Sequence, residues 1–147
     1  MSTMTTRAVT LQHLAIVIVG VAALATPYPA TAAGIDTSKP MLCAVSTIME
    51  CDGSGQCVPY TPNRHPDFPA FLRVNLAQRT ISDGGGASPP RTTEIKTVTR
   101  LDGRLILHGA ESGRGWAATI AESSGRMAAG VVADEYTFAL FGACTSP

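Results

Sequence analysis

The residues best suited to chemistry in this sequence are four cysteines, Cys43, Cys51, Cys57 and Cys144. Cysteines form disulfides in oxidising compartments, whereas in reducing compartments they more often bind metals or act in catalysis. Their spacing here lacks the Cys-x-x-Cys knuckle that is typical of zinc sites. Two structural disulfides are therefore the favoured interpretation, a zinc site is the alternative, and we predict no bound metal.

Geometry narrows the three pairings that four cysteines allow. Cys43 and Cys51 fall in one predicted element, where their Cα atoms would lie about 27 Å apart in a strand or about 12 Å apart in a helix. A disulfide needs Cα atoms within about 7 Å. We therefore predict that Cys51 pairs with Cys57 across a short glycine-containing turn, and that Cys43 pairs with Cys144.

Residues 1–33 have the pattern of a cleaved signal peptide. Arg7 supplies the positive charge, Leu14–Ala25 the apolar stretch, and Ala30–Ala32 the small-x-small cleavage site. The stretch is shorter than the roughly 20 apolar residues of a membrane-spanning helix. We expect export to the periplasm or secretion, with no membrane span after cleavage. An uncleaved N-terminal anchor is the alternative.

The charge balance excludes several classes of partner. Lys and Arg number 11, as do Asp and Glu, so removal of a signal containing Arg7 leaves a net charge of about −1. No basic cluster is present for nucleic acid or anionic lipid. The glycine-rich stretch Asp83–Gly86 lacks the lysine and helix of a phosphate-binding loop, so we predict no cofactor.

Residues 34–147 are predicted to form a single all-β domain with a proline-rich loop at residues 58–70. One strand precedes the loop and about seven follow it, separated by turn residues such as Asp102-Gly103. The predicted fold is an antiparallel meander of about eight strands, a small up-and-down barrel or a flattened sandwich. The start of the first strand and the end of the last then meet, which supports the pairing of Cys43 with Cys144.

One predicted strand, Thr92–Arg100, has no consistent core face, because Ile95 and Val98 would point to opposite sides. Two neighbouring strands carry small residues, namely Ala117, Ala118, Ala128, Ala129 and Gly130. Small residues there indicate either tight packing or an internal cavity.

Catalysis finds little support in the sequence. His108 lies close to Glu111 and Ser112, but a catalytic triad also needs an oxyanion hole, and no Gly-x-Ser-x-Gly nucleophile motif is present. His65 near Asp67 is no better supported as a metal ligand. We therefore predict no catalytic residues and a protein that is not an enzyme.

Two resemblances extend these expectations. The stretches Phe71–Gly85 and Gly103–Thr145 resemble a family of small exported proteobacterial proteins of unknown function, which implies export and a common fold. The stretch Ser112-Gly113-Arg114-Gly115-Trp116 is similar to the Ser-Gly-x-Arg-Tyr loop of periplasmic inhibitors of C-type lysozyme, although Arg comes one position earlier and Trp replaces Tyr. Those inhibitors are small disulfide-bonded β-barrels.

The sequence thus predicts a non-enzymatic exported β-barrel that binds a small apolar ligand or supports the cell envelope. The alternative is a protein inhibitor of a lysozyme-like enzyme that acts through residues 111–115. In either case the candidate binding residues are Glu111, Ser112, Arg114 and Trp116.

Overall fold

The computed structural model describes residues 34–62, 68–85 and 90–147. Ten strands run through them: β1 Met41–Asp52, β2 Cys57–Tyr60, β3 Phe71–Asn75, β4 Thr80–Asp83, β5 Thr92–Glu94, β6 Thr97–Leu101, β7 Arg104–Glu111, β8 Arg114–Ala121, β9 Arg126–Val132 and β10 Tyr136–Thr145. These residues contain no α-helix, and every strand pair is antiparallel. The predicted all-β class is confirmed. The predicted signal peptide and His65 lie outside the described residues.

The sheet consists of two meanders joined at one strand pair. Its order is β5-β4-β3-β1-β10-β9-β8-β7-β6, and β2 pairs with the remaining length of β1 beside β3. The sheet curls into a half-barrel. The first and last strands pair as predicted, but this pair lies inside the sheet, and the two ends of the sheet order are β5 and β6.

A bulge in β1 reverses which side chains face the core. The register with β10 runs from Val45 opposite Gly142 to Thr47 opposite Phe141, which leaves Ser46 as the extra residue. Val45 and Ile48 are both buried, three positions apart, because the bulge interrupts the alternation of an ordinary strand.

The stretch predicted as one strand over Thr92–Arg100 is two strands, which raises the number of strands above the expected eight. The sheet interaction breaks at Ile95 and Lys96, between β5 and β6. Because of this break, Ile95 is completely buried while Val98 also packs against the core. The conflict between their faces, apparent in the sequence, is thereby removed.

Arg79 holds this break in place. Its backbone adopts a φ of 55°, its carbonyl oxygen accepts a 2.8 Å hydrogen bond from the Ile95 N–H, and its Nε donates to the Ile95 carbonyl at 3.0 Å. Its Nη2 also donates to the Lys96 carbonyl. The connection between β5 and β6, the two ends of the strand order, is therefore held by the turn that precedes β4.

Two tight turns define the β6–β7–β8 meander. Asp102 and Gly103 have φ values of 51° and 69°, and Ser112 and Gly113 have φ values of 50° and 78°. Positive φ at both central residues is the signature of a type I′ turn, which matches the twist of a hairpin. The hairpin predicted at Asp102-Gly103 is confirmed.

Both predicted disulfides are present. Cys43 bonds to Cys144, and Cys51 bonds to Cys57. In each pair the two residues lie directly opposite one another on adjacent antiparallel strands. The first bridge is buried in the core, whereas Cys57 is exposed. Both bridges start from β1, so this strand is covalently tied to each of its two sides.

The beginning of the predicted proline-rich loop is a strand. Val58, Pro59 and Tyr60 belong to β2, which pairs with β1. Proline has no N–H to donate, so within sheets it is confined to edge strands and bulges. Pro59 is therefore compatible with the position of β2 at an edge of the sheet.

Candidate ligand-binding cavity

A cavity of about 350 Å³, open on one side, lies on the concave face of the half-barrel. Five strands, β3, β4, β8, β9 and β10, and the segment before β3 contribute its apolar wall. The residues of this wall are Phe68, Pro69, Leu72, Ile81, Trp116, Ala129, Val131 and Leu140. Pockets for small organic ligands typically measure about 300–1,000 Å³ and are predominantly apolar. The volume and the lining of this cavity fall within that range.

A buried hydrophobic core lies beside the cavity, and Leu140 belongs to both. The buried core side chains are Met41, Cys43, Val45, Ile48, Val74, Ile95, Leu105, Leu107, Ala118, Ile120, Met127, Phe138, Leu140 and Cys144. A close-packed core provides a rigid frame for the cavity.

Small residues of β8 and β9 lie where space remains beside this core. Ala117, Ala129 and Gly130 line the cavity, whereas Ala118, opposite Ala129, is buried in the core. Leu140 lies opposite Ala129 on β10. Alanine at residue 129 leaves a volume that a larger aliphatic residue would occupy. The sequence left open whether the small residues of these two strands pack tightly or leave a cavity, and the structure has a cavity beside them.

Trp116 forms one wall and is held on two sides. Its indole Nε1 donates a 3.2 Å hydrogen bond to Oγ1 of Thr93 on β5. Its ring covers Gly109, the residue directly opposite on β7. The side chain is partly buried against the core. These contacts connect β5 to β7 and β8 and fix the indole at the cavity.

The lining of the cavity also carries charge of both signs. Glu111 and Arg114 are cross-strand partners in the β7–β8 hairpin. Asp83 ends β4, and its N–H donates a 3.0 Å hydrogen bond to the carbonyl of Arg91, just before β5. Each of these two places therefore contributes one acidic and one basic residue to the lining.

Aromatic rings pack against one another near Arg114. Phe68 meets Phe138 edge-on with ring centroids 4.7 Å apart, and Tyr136 meets Phe138 edge-on at 5.0 Å. The Arg114 guanidinium carbon lies 6.0 Å from the centroid of the Tyr136 ring, within the range of a cation–π contact. Phe68, at the end of the proline-rich segment, is therefore tied to the wall of the cavity.

Glu94, the residue after Thr93 on β5, forms an ion pair and a hydrogen bond with Lys96. The hydrogen bond and the positive charge of Lys96 lower the pKa of the Glu94 carboxyl. This ion pair lies on the exposed connection between β5 and β6, outside the cavity lining.

All four candidate binding residues line the cavity. Glu111 and Ser112 are exposed at the hairpin tip, and Arg114 and Trp116 are half-buried on β8. The sequence analysis missed Asp83, Arg91 and the apolar residues of β3 and β4, which also line the cavity. Asp83 lies two positions after Ile81 on the same strand, so the two side chains share one face of the sheet. This spacing is the one feature of the local sequence that places Asp83 beside a residue packed against the core.

The three side chains considered as a catalytic triad, His108, Glu111 and Ser112, do not come together. His108 is exposed and follows the buried Leu107 on β7, so it points to the convex face, while Glu111 lines the cavity. Ser112 lies four positions beyond His108, about 13 Å along an extended strand. His108 and Ser112 are therefore too far apart for a nucleophile and its base.

Within the three described ranges, no group of three or more His, Cys, Asp or Glu side chains is placed to hold a metal ion. In the same ranges, no helix has the length and apolar character needed to cross a membrane.

No protein-family model, curated protein or solved structure matches this chain. The resemblances to an exported proteobacterial family and to lysozyme inhibitors therefore stay expectations from the sequence.

Proposed function

We propose that this protein is an exported, non-enzymatic binding protein that holds a small apolar ligand in the concave cavity of its half-barrel. The observation that carries this proposal is the cavity of about 350 Å³, whose mainly apolar lining includes a few polar and charged residues. A few polar groups around an apolar pocket are the usual composition of a small-molecule site.

Two disulfides support the proposed compartment. They indicate a protein of an oxidising environment. Together with the signal-peptide pattern at residues 1–33, they favour the periplasm or secretion. N-terminal sequencing of the protein recovered from that fraction tests the export proposal: residue 33 or 34 should come first, and an intact N-terminus would contradict cleavage.

The binding proposal is tested with N-phenyl-1-naphthylamine, an uncharged apolar probe whose fluorescence rises when it leaves water. The wild-type protein should bind it saturably. Ala129→Phe fills the cavity from the concave face of β9 and should abolish the saturable signal. Saturable binding that survives Ala129→Phe would place the probe elsewhere and overturn the proposal.

The matched control is Ala128→Phe. Ala128 is the preceding residue on the same strand and is exposed on the convex face. This variant adds the same side chain at the adjacent position and should bind the probe like wild type. Loss of binding in both variants would show a general effect on the sheet, which thermal unfolding of each variant would reveal independently.

Inhibition of a lysozyme-like enzyme is the second candidate function. It is favoured by the type I′ turn at Ser112-Gly113, which presents Ser112 in an exposed and rigid conformation at the hairpin tip. A lysozyme assay with wild type, Ser112→Ala and Arg114→Ala tests it. Inhibition by wild type that both substitutions weaken would support this role, and no inhibition at micromolar protein would end it.

A further inference from the structure

We propose that the ligand is an uncharged apolar molecule with one hydrogen-bond acceptor, such as a ketone or an ester, and that the Thr93 hydroxyl donates to that acceptor. This inference rests on the proposed function, because it names the class of ligand for the same cavity. The juxtaposition that supports it is a threonine hydroxyl in the cavity lining whose oxygen already accepts a hydrogen bond from the indole of Trp116.

Thr93 lies on the face of the sheet that lines the cavity. It is directly opposite Ile81 on the adjacent strand β4, and side chains at directly opposite positions share one face. Ile81 packs against the core, and both residues line the cavity. The preceding residue, Thr92, is exposed, and strand alternation places its side chain on the other face. Of these two threonines, Thr93 is therefore the one whose hydroxyl lies on the cavity face.

The indole of Trp116 determines which part of this hydroxyl remains for a ligand. Its Nε1 donates to Thr93 Oγ1 at 3.2 Å. An indole N–H is a donor only, whereas a hydroxyl can accept and donate at once. Thr93 is therefore the acceptor in this bond, and its own hydrogen remains to be donated. In the described ranges, the structure places no acceptor for that hydrogen.

A ligand that carries an acceptor would complete a chain of two hydrogen bonds, from the Trp116 N–H to the Thr93 hydroxyl and from this hydroxyl to the ligand. Successive hydrogen bonds of such a chain polarise and strengthen one another. A hydrocarbon at the same place would exclude water from the hydroxyl without offering an acceptor, which is unfavourable. Thr93 is thus the specificity-determining residue, and Trp116 is a positioning residue whose only donor is already used.

The experiment measures displacement of N-phenyl-1-naphthylamine by 1-acetylnaphthalene and by 1-ethylnaphthalene. These two molecules have similar shapes and differ in a carbonyl oxygen. The quantity compared is the ratio of their half-displacing concentrations, ketone over hydrocarbon, in wild type and in Thr93→Val. Both proteins take the ligands from the same water, so the difference in hydration between the two ligands cancels. We expect this ratio to rise about fivefold in Thr93→Val, the effect of losing one hydrogen bond.

Three further variants separate the hydroxyl from the size of the side chain. Thr93→Ser keeps the hydroxyl and should keep the wild-type ratio. Thr93→Ala removes the hydroxyl without adding a methyl group and should raise the ratio as Thr93→Val does. Thr99→Val, at an exposed position of β6 outside the cavity lining, is the control and should leave the ratio unchanged.

The outcomes distinguish this inference from the proposed function. An unchanged ratio in Thr93→Val and Thr93→Ala would overturn the acceptor proposal and leave the apolar binding site intact. A rise in Thr93→Ser as large as in Thr93→Val would also overturn it, because the hydroxyl would then not be the selective group. Failure of the probe to bind wild type would overturn both proposals.

Discussion

Gly109 and Trp116 are directly opposite residues of the β7–β8 ladder, and the indole occupies the space that a side chain on Gly109 would need. A Cβ atom added to Gly109 would lie 2.2 Å from Cζ2 of Trp116 and 2.6 Å from the backbone oxygen of Glu94. The absence of a side chain at residue 109 therefore allows the indole to cover β7 and to reach Thr93 on β5.

Gly109→Ala should destabilise the fold by about 2–3 kcal/mol, because the added methyl group overlaps both a packed ring and a backbone atom. Trp116 is the only tryptophan, so its fluorescence spectrum reports the displaced indole directly. Gly115→Ala is the control, since a Cβ there meets nothing within 4 Å. An unchanged emission spectrum in Gly109→Ala would show that the indole does not depend on this glycine.

Arg79→Gln should loosen the connection between β5 and β6, because it removes the guanidinium donors to the carbonyls of Ile95 and Lys96. We expect a loss of about 1–2 kcal/mol, the range for hydrogen bonds to a charged donor at a partly exposed site. Hydrogen exchange at the Ile95 amide should accelerate more than exchange in β9. Arg73→Gln, an exposed arginine on β3, provides the comparison. Equal behaviour of the two variants would contradict an anchoring role for Arg79.

The two disulfides should contribute unequally to stability. Replacing both Cys43 and Cys144 by Ala removes a bridge that spans 101 residues, and the chain-entropy relation assigns about 4–5 kcal/mol to such a loop. Replacing Cys51 and Cys57 removes a bridge that spans 6 residues, for which the same relation gives about 2 kcal/mol. Urea unfolding of both double variants measures the difference. A larger loss for the Cys51–Cys57 variant would reverse this order.

Asp52 should make stability depend on pH at the acid end. Its Oδ1 accepts hydrogen bonds from the Ser54 hydroxyl at 2.6 Å and from the N–H groups of Ser54 and Gln56. The Ser54 hydroxyl has the largest effect in lowering the pKa of this carboxyl below 3.8. Because the folded state holds the proton more weakly than the unfolded state, the stabilisation is complete above pH 3.8 and is lost as pH falls through the lowered value.

The measurement is the unfolding temperature of wild type and Asp52→Asn from about pH 5 to pH 2. The difference between them should shrink as the pH falls, since Asp52 becomes protonated in wild type. Asp134→Asn, an exposed position in the β9–β10 turn, is the control. A difference that stays constant over this range would mean that the Asp52 charge does not stabilise the turn.

Local features could be predicted from the sequence where one short-range rule dominated. Asp102-Gly103 specifies a type I′ turn because both positions tolerate positive φ. The disulfide pairing followed from the distance between Cys43 and Cys51 along a single strand, which excludes their bridge, and from the short glycine-containing turn between Cys51 and Cys57.

Features that depend on contacts between distant strands could not be predicted in the same way. The break at Ile95 requires Arg79, sixteen residues earlier in the chain, to hold the connection in place. The Ser46 bulge is defined only by the register of β1 against β10. Side-chain alternation within one strand contains no information about its partner, so the bulge was not predicted, and the break was visible only as the conflict between the faces of Ile95 and Val98.

The candidate site shows the same division. The sequence by itself determined the all-β class, the two bridges, the turn at Asp102-Gly103 and the presence of small residues on β8 and β9. Only the tertiary structure decided that a cavity remains beside these small residues, and that Asp83 and Arg91 line it together with Glu111 and Arg114. The physical reason is that the volume of a cavity is not set by any single residue. It depends on how far the curled sheet separates walls that come from opposite ends of the strand order.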